Sequence, residues 1–159
     1  MDQRLNFVTL AVADTTRSRA FYVDGLSWAA APEVPGEVII LQVAHGLMLS
    51  LWNRDEFTSE VGEPGAGLAP ITLAHNVDSP EEVDAVLTAA RAAGAPTVAD
   101  AVERDWGGYS GYFADPDGFR WEVATNPGDI GRRILAESKQ WLRGRQPRSG
   151  SNDNSTDAP

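Results

Sequence analysis

The sequence predicts an α+β fold of two tandem β-α-β-β-β modules, followed by a C-terminal helix and a disordered tail. Three observations lead there. One order of elements, a strand, a capped helix and then further strands, occurs twice along the 159 residues. A Gly/Pro-rich stretch, "GEPGAGLAP", separates the two occurrences. Past Pro127 the charge changes sign: residues 1–127 carry seven Arg against nineteen Asp and Glu, a balance of −12, whereas 128–159 come to +2. The length suits one domain, or two small half-domains sharing a core.

The elements follow in order. "FVTLAVAD" alternates and is rich in β-formers, so it reads as a strand. Asp14 then caps a helix over "TTRSRAFYVDGL", which ends near Gly25. "EVIILQV" and "LMLSLW" are strands around a turn at His45-Gly46. The second module opens with the strand "ITLAHNVD" and the helix "SPEEVDAVLTAARAAGAP". Ser79 with Glu82 forms a capping box there, Pro80 occupies the first helical position, and Gly94 supplies the stop. Val83, Val86, Leu87 and Ala90 share one face of that helix. "TVADAVE", "YSGYFAD" and "GFRWEVAT" are three more strands. Beyond them, "DIGRRILAESKQWLRGR" spaces Ile130, Ile134, Leu135, Trp141 and Leu142 as an amphipathic helix over 128–144, and 145–159 is polar and of low complexity.

Composition excludes several functions. Hydrophobic residues make up 42% of the chain, which suits a filled interior. There is no cysteine, so disulfides, zinc–thiolate sites and thiol nucleophiles are out. The two histidines, His45 and His75, leave little room for an imidazole-rich metal site. The −12 body repels phosphate backbones, which argues against a nucleic-acid partner. No run crosses a membrane and the N-terminus carries no signal pattern, so a cytoplasmic location is expected. Acidity would draw a cationic ligand weakly, but it also serves solubility alone.

The least ordinary stretch is "GYSGYFADPDGFRWEV", residues 108–123. It places a carboxylate, Glu122, within an apolar strand, which is costly unless something pairs with it. "DPDG" alone is a common turn. Joined to "WE" four positions on, to the upstream "RSRAFY" helix and to "VDSPEEVDAV", it resembles the vicinal oxygen chelate superfamily of glyoxalases, extradiol dioxygenases, and fosfomycin- and bleomycin-resistance proteins. The resemblance covers residues 4 to about 127, as modules 4–62 and 68–127. It implies that each half curls its part of a mixed sheet into a cup, that the paired cups form the site, and that the chain forms a homodimer.

Strand alternation then assigns faces within that fold. Val8, Leu10 and Val12 pack on the helix, leaving Phe7, Thr9 and Ala11 in the cup. Phe119, Trp121 and Val123 pack, leaving Arg120, Glu122 and Ala124 inward. Met48, Ser50 and Trp52, with Thr72, Ala74 and Asn76, also face inward, and His75 points to the helix layer. Metal-using relatives take one ligand from each of four strands, and the resemblance puts those positions at Phe7, Ser50, Thr72 and Glu122. Only Glu122 is a strong ligand, so neither metal nor other cofactor is expected.

Glu122 then has two readings. It pairs with Arg54, Arg120 or Tyr109 and holds the strands in register, or it anchors a ligand, with burial raising its pKa enough for it to serve as a base. Trp52, Trp106, Tyr109 and Phe7 describe an aromatic-lined pocket, or side chains that simply fill the barrel. Three functions compete. The first is a metal-free binder of a small organic molecule, as in drug sequestration, using Phe7, Thr9, Ser50, Trp52, Arg54, Thr72, Asn76, Trp106, Tyr109, Arg120 and Glu122. The second is a metal-independent isomerase, lyase or cyclase with Glu122 as base and Tyr109 or Arg54 steadying negative charge. The third, a metal-dependent glyoxalase or dioxygenase, lacks its ligands.

Overall fold

In the first module, β1 (Phe7–Val12) is joined to α1 (Thr15–Arg19) through Asp14, whose carboxylate accepts from the N–H groups of Thr16 and Arg17. The computed structural model describes residue 1 and residues 5–145. The expected single first helix is two pieces, because α1 widens into a π-helical segment over Ala20–Gly25. Phe21 and Tyr22 are both fully buried from that segment, their rings edge to face at 5.1 Å. The strands β2 (Ala30–Val34), β3 (Val38–Ala44) and β4 (Leu47–Asn53) follow. The Pro and Glu of "AAPEV" interrupt the alternation that marks a strand, so β2 has no period-two signal in the sequence. Asn53 then caps a short α2 (Arg54–Glu60), in a stretch to which the sequence reading assigns no element.

The second module repeats the plan: β5 (Thr72–Asn76), α3 (Pro80–Ala92), β6 (Thr97–Glu103), β7 (Tyr109–Ala114) and β8 (Arg120–Thr125). Ser79 accepts from the Glu82 N–H as expected, while the Glu82 carboxylate reaches back to the N–H of Asp78. Gly94 sits at φ +94° just past the helix, in the left-handed region that suits glycine. The duplication is plain in the sheets. One runs β1-β4-β3-β2 and the other β5-β8-β7-β6, and in each the first strand is parallel to the last while the remaining pairs are antiparallel. Each is an open four-stranded mixed sheet.

The helix-facing sides share one core. Leu10, Val12, Ile39, Leu41, Leu49 and Leu51 of the first module join Val83, Leu87, Ala90, Phe113, Trp121 and Val123 of the second. Each large apolar side chain buried this way contributes roughly 1.5–3 kcal/mol. Aromatic rings cross between modules: Phe21 to Phe113 at 6.1 Å, and Trp28 edge-on to Trp121 at 5.6 Å.

A polar fastening crosses there too. Asp115 is fully buried; its Oδ2 accepts from the Tyr22 hydroxyl at 2.7 Å, and its Oδ1 from the N–H groups of Asp117 and Phe119. Trp121 Nε1 donates to the same Tyr22 oxygen at 3.0 Å. Asp117 Oδ1 accepts from the Ala13 N–H and from Arg17, both of the first module. The "DPDG" turn is thus a clasp between the halves. Burial first, then the neighbouring Asp115 charge, raises the Tyr22 pKa well above its ordinary value.

Gly111 shows how closely α3 lies on β7. A Cβ there would stand 2.6 Å from Leu87 Cδ1 and 2.8 Å from the carbonyl oxygen of Ala99. Gly111→Ala is expected to cost roughly 1–3 kcal/mol by overpacking, read by thermal or denaturant unfolding. A variant as stable as the parent would contradict that close approach.

α4 (Asp129–Arg145) matches the expected C-terminal helix. Gly131 is buried against Asn126, Leu135 is half-buried, and Lys139 pairs with Asp78. Ile130, Ile134 and Leu142 are exposed, so the expected apolar face is only partly covered. The expected tail falls, beyond Arg145, outside the described residues. No helix among the described residues is long and apolar enough to cross a membrane.

Candidate functional site

β8 lies between β5 and β7, and its two faces part cleanly. Trp121 and Val123 enter the core, whereas Glu122 stands half-buried on the face away from the helices. Ala74 on β5 and Tyr112 on β7 are its cross-strand neighbours. The Tyr112 hydroxyl donates to Glu122 Oε1 at 3.1 Å. Glu122 Oε2 has no partner among the described residues. Desolvation raises the Tyr112 pKa, the hydrogen bond to Glu122 and that carboxylate's charge add to it, and Arg104 opposes them.

Arg104, just past the end of β6, completes the cluster. Its Nε donates to Ser110 Oγ and its Nη2 to the Ser110 carbonyl, both at 2.9 Å. Its guanidinium carbon lies 5.6 Å from the centre of the Tyr112 ring, a cation–π geometry. Ser110 is fully buried beneath it. Arg120, in register with Thr72 and Ala114, is half-buried on the same face and makes no side-chain hydrogen bond or ion pair among the described residues. Asn76 and the exposed Thr72 share this face by register with Ala124 and Arg120.

The matching face of the first sheet is chemically different. Register groups Phe7 with Met48, Thr9 with Ser50 and Ile40, and Ala11 with Trp52 and Val38, with no charged side chain in the set. Phe7 is 52% exposed and Thr9 is exposed, whereas Ser50 is buried. Trp52 meets Phe57 of α2 edge-on at 5.9 Å.

Strand phase removes Tyr109 from the group around Glu122. Tyr109, Gly111 and Phe113 occupy the helix-facing side of β7, and the Tyr109 hydroxyl donates to Asp84 of α3 at 3.1 Å. Tyr112 stands where Tyr109 was expected. Arg54 begins α2 and approaches Asp117 at 4.0 Å, so it does not pair with Glu122. Trp106 folds over Gly108 at the β6–β7 turn, its ring filling the space a Cβ would take, and is 52% exposed. Gly108 and Gly111 of "DWGGYSGYF" therefore admit this chain's own Trp106 and α3. His75 lies in register with the buried Val123, as its phase predicts, yet is exposed rather than a core residue.

The metal-ligand positions do not suit an ion. A phenyl ring at Phe7 offers no donor, Ser50 and Thr72 offer neutral hydroxyls, and Glu122 is the one strong donor of the four positions. Among the described residues no group of three or more His, Asp or Glu side chains could hold a metal.

Comparison with known proteins fits this geometry. The family model described as Glyoxalase/Bleomycin resistance protein/Dioxygenase superfamily matches residues 4–123. A glyoxalase-related enzyme from Fulvimarina pelagi is 34% identical, with a TM-score of 0.72 over 81% of this chain and 95% of that one. A glyoxalase/bleomycin resistance protein/dioxygenase from Nocardioides is 23% identical, with a TM-score of 0.66 over 82% and 91%. A lactoylglutathione lyase from Agrobacterium tumefaciens is 24% identical, with a TM-score of 0.62 over 79% and 95%; like the Nocardioides protein, it speaks to the fold alone. No curated protein matches the chain.

Proposed function

Because this chain belongs to the glyoxalase/bleomycin resistance protein/dioxygenase superfamily, we propose that it binds a small organic molecule on the open face of its second sheet, without a metal. The observation that carries this is the Tyr112–Glu122 pair, a carboxylate with one oxygen held and the other free, set between Arg104 and Arg120. Thr72, Asn76 and Arg120 are the further polar contacts on that face. Phe7 and Trp52 of the first sheet supply an apolar wall, with the hydroxyls of Thr9 and Ser50 on the same face. Phe7, Thr9 and Thr72 are exposed on these faces in the single chain, so a second copy laid across them would enclose the ligand, and a homodimer belongs to this reading.

Stoichiometric capture without turnover, as in drug sequestration, is the simpler form of this function. The free Glu122 Oε2 favours one second form, a metal-independent isomerase, lyase or cyclase. There Glu122 would take a proton from the bound molecule while Tyr112 holds the carboxylate in place. Native mass spectrometry of the purified protein reports carried-over ligand, metal and subunit number together. Glu122→Gln should lower ligand occupancy modestly if the protein only binds, and should abolish most turnover, about 100-fold or more, if Glu122 is the base. Tyr112→Phe should follow in the same direction with a smaller effect. Occupancy and turnover untouched by either change would sink the proposal.

A further inference from the structure

We propose that the molecule received on this face is a small organic anion with an apolar body, its charged group taken by Arg104 and Arg120. This rests on the binding reading of the same face and adds the class of ligand.

The distribution of arginines carries it. Through residue 127 six arginines lie among the described residues, in a body of charge −12. Arg17 and Arg54 approach Asp117, Arg19 approaches Glu33, and Arg91 pairs with Asp100. The two without an ion pair among the described residues, Arg104 and Arg120, stand on one face of one sheet. Carboxylates are abundant in this body, so leaving both guanidinium groups unmatched on a half-buried surface is the exception. Among the described strand residues on this face Glu122 is the acidic group that offsets them, and Tyr112 already occupies one of its oxygens. The open face is locally positive although the body is acidic, which reverses the cationic-ligand preference suggested by net charge.

Geometry agrees. Nε and Nη2 of Arg104 are committed to Ser110, which fixes the plane of the guanidinium and leaves Nη1 to donate. A fixed guanidinium loses little freedom when it binds a planar carboxylate or a sulfonate. Arg120 lies two residues before Glu122 on β8, about 7 Å along the strand. Arg104 lies over Tyr112 and is bonded to Ser110, the cross-strand neighbours of Glu122 and Ala124, so it stands toward the other end of this stretch of β8 from Arg120. The side chains flanking Arg120 and Glu122 on this face include three small ones, Ala74, Ala114 and Ala124. The uncharged first-sheet face is suited to an aromatic or alkyl body.

A matched pair of dyes tests the inference. 8-Anilinonaphthalene-1-sulfonate and N-phenyl-1-naphthylamine share one ring system and differ in the anionic group. Titrated into the full chain, Arg104→Gln with Arg120→Gln should weaken the sulfonate dye about tenfold or more and change the neutral dye less than twofold. Arg120→Lys, which keeps the charge, should retain most of the sulfonate affinity, and it guards against a misfolded double variant. An equal loss for both dyes, an unchanged sulfonate dye, or a loss in Arg120→Lys as large as in the double variant would each overturn the anion preference. Ligand occupancy that still depends on Glu122 would then leave the binding site standing with another ligand class. If neither dye binds the parent chain and no ligand is carried over, both the site and its preference fall.

Discussion

Asp115→Ala should lower the unfolding free energy by about 3–5 kcal/mol, enough to unfold a marginal domain at 37 °C. The side chain is fully buried and ends three hydrogen bonds: from the Tyr22 hydroxyl, and from the N–H groups of Asp117 and Phe119. Alanine leaves all three donors without an acceptor where water has little access, and each such loss costs about 1–3 kcal/mol. The damage should spread beyond the turn, because Tyr22 belongs to the first module and Asp115 to the second. Urea unfolding followed by far-ultraviolet dichroism would measure it. A change below about 1 kcal/mol would show that the clasp does not hold the modules together.

The same group makes stability depend on pH. Burial raises the Asp115 pKa, with Asp117 adding to it, against the opposing hydrogen bonds from Tyr22 and the two backbone N–H groups. A carboxyl whose folded pKa lies above its unfolded value binds its proton more tightly when folded. Its contribution is therefore full at low pH and is lost as pH rises from the unfolded value through the folded one. Other carboxylates add their own slopes, so the difference between the parent and Asp115→Asn isolates this one. Relative to the asparagine variant, the parent should lose stability as pH rises from about 4.

How much of this was legible in the sequence depended on whether a local rule or a long-range contact decided the outcome. The tandem modules, the capped helices and the inward phase of Glu122 follow from period-two strands and short-range caps, and the sheets carry all of them. β2 was missed because "AAPEV" has neither alternation nor β-branched density. The π-helical segment at Ala20–Gly25 leaves no local signal, since the core is what rotates Phe21 and Tyr22 inward together. Tyr109 and Tyr112 lie three residues apart on one aromatic strand, "YSGYF", so they take opposite faces. Counting back by twos from a buried Phe113 puts Tyr109 with the helix and Tyr112 with Glu122. Arg104 was beyond reach: its role rests on Ser110, six residues on and across a turn. Asp115 reads as a turn residue, and only the fold brings Tyr22 to it across a sequence separation of 93.

Trp121→Ala is the second large loss to expect, about 3–5 kcal/mol. The indole is nearly buried, lies parallel to Phe113 with centroids 6.0 Å apart, meets Trp28 edge-on, and donates Nε1–H to Tyr22. Removing it opens a cavity where the two modules meet and withdraws a donor from the clasp. Trp121→Phe separates these contributions, because a phenyl ring keeps much of the packing on Phe113 but not the hydrogen bond, and should cost roughly 1–2 kcal/mol. The consequence reaches the open face through strand phase. Trp121 and Glu122 are adjacent on β8, so the contacts that fix the indole in the core also hold the carboxylate outward toward Tyr112. Trp121→Ala should therefore weaken ligand retention at temperatures where the chain is still folded, whereas Gly111→Ala, which crowds α3 from the helix side of β7, should lower stability with a smaller effect on retention. Equal losses of retention at matched stability would show that Glu122 is held by the sheet's own hydrogen bonds and not by its neighbour in the core.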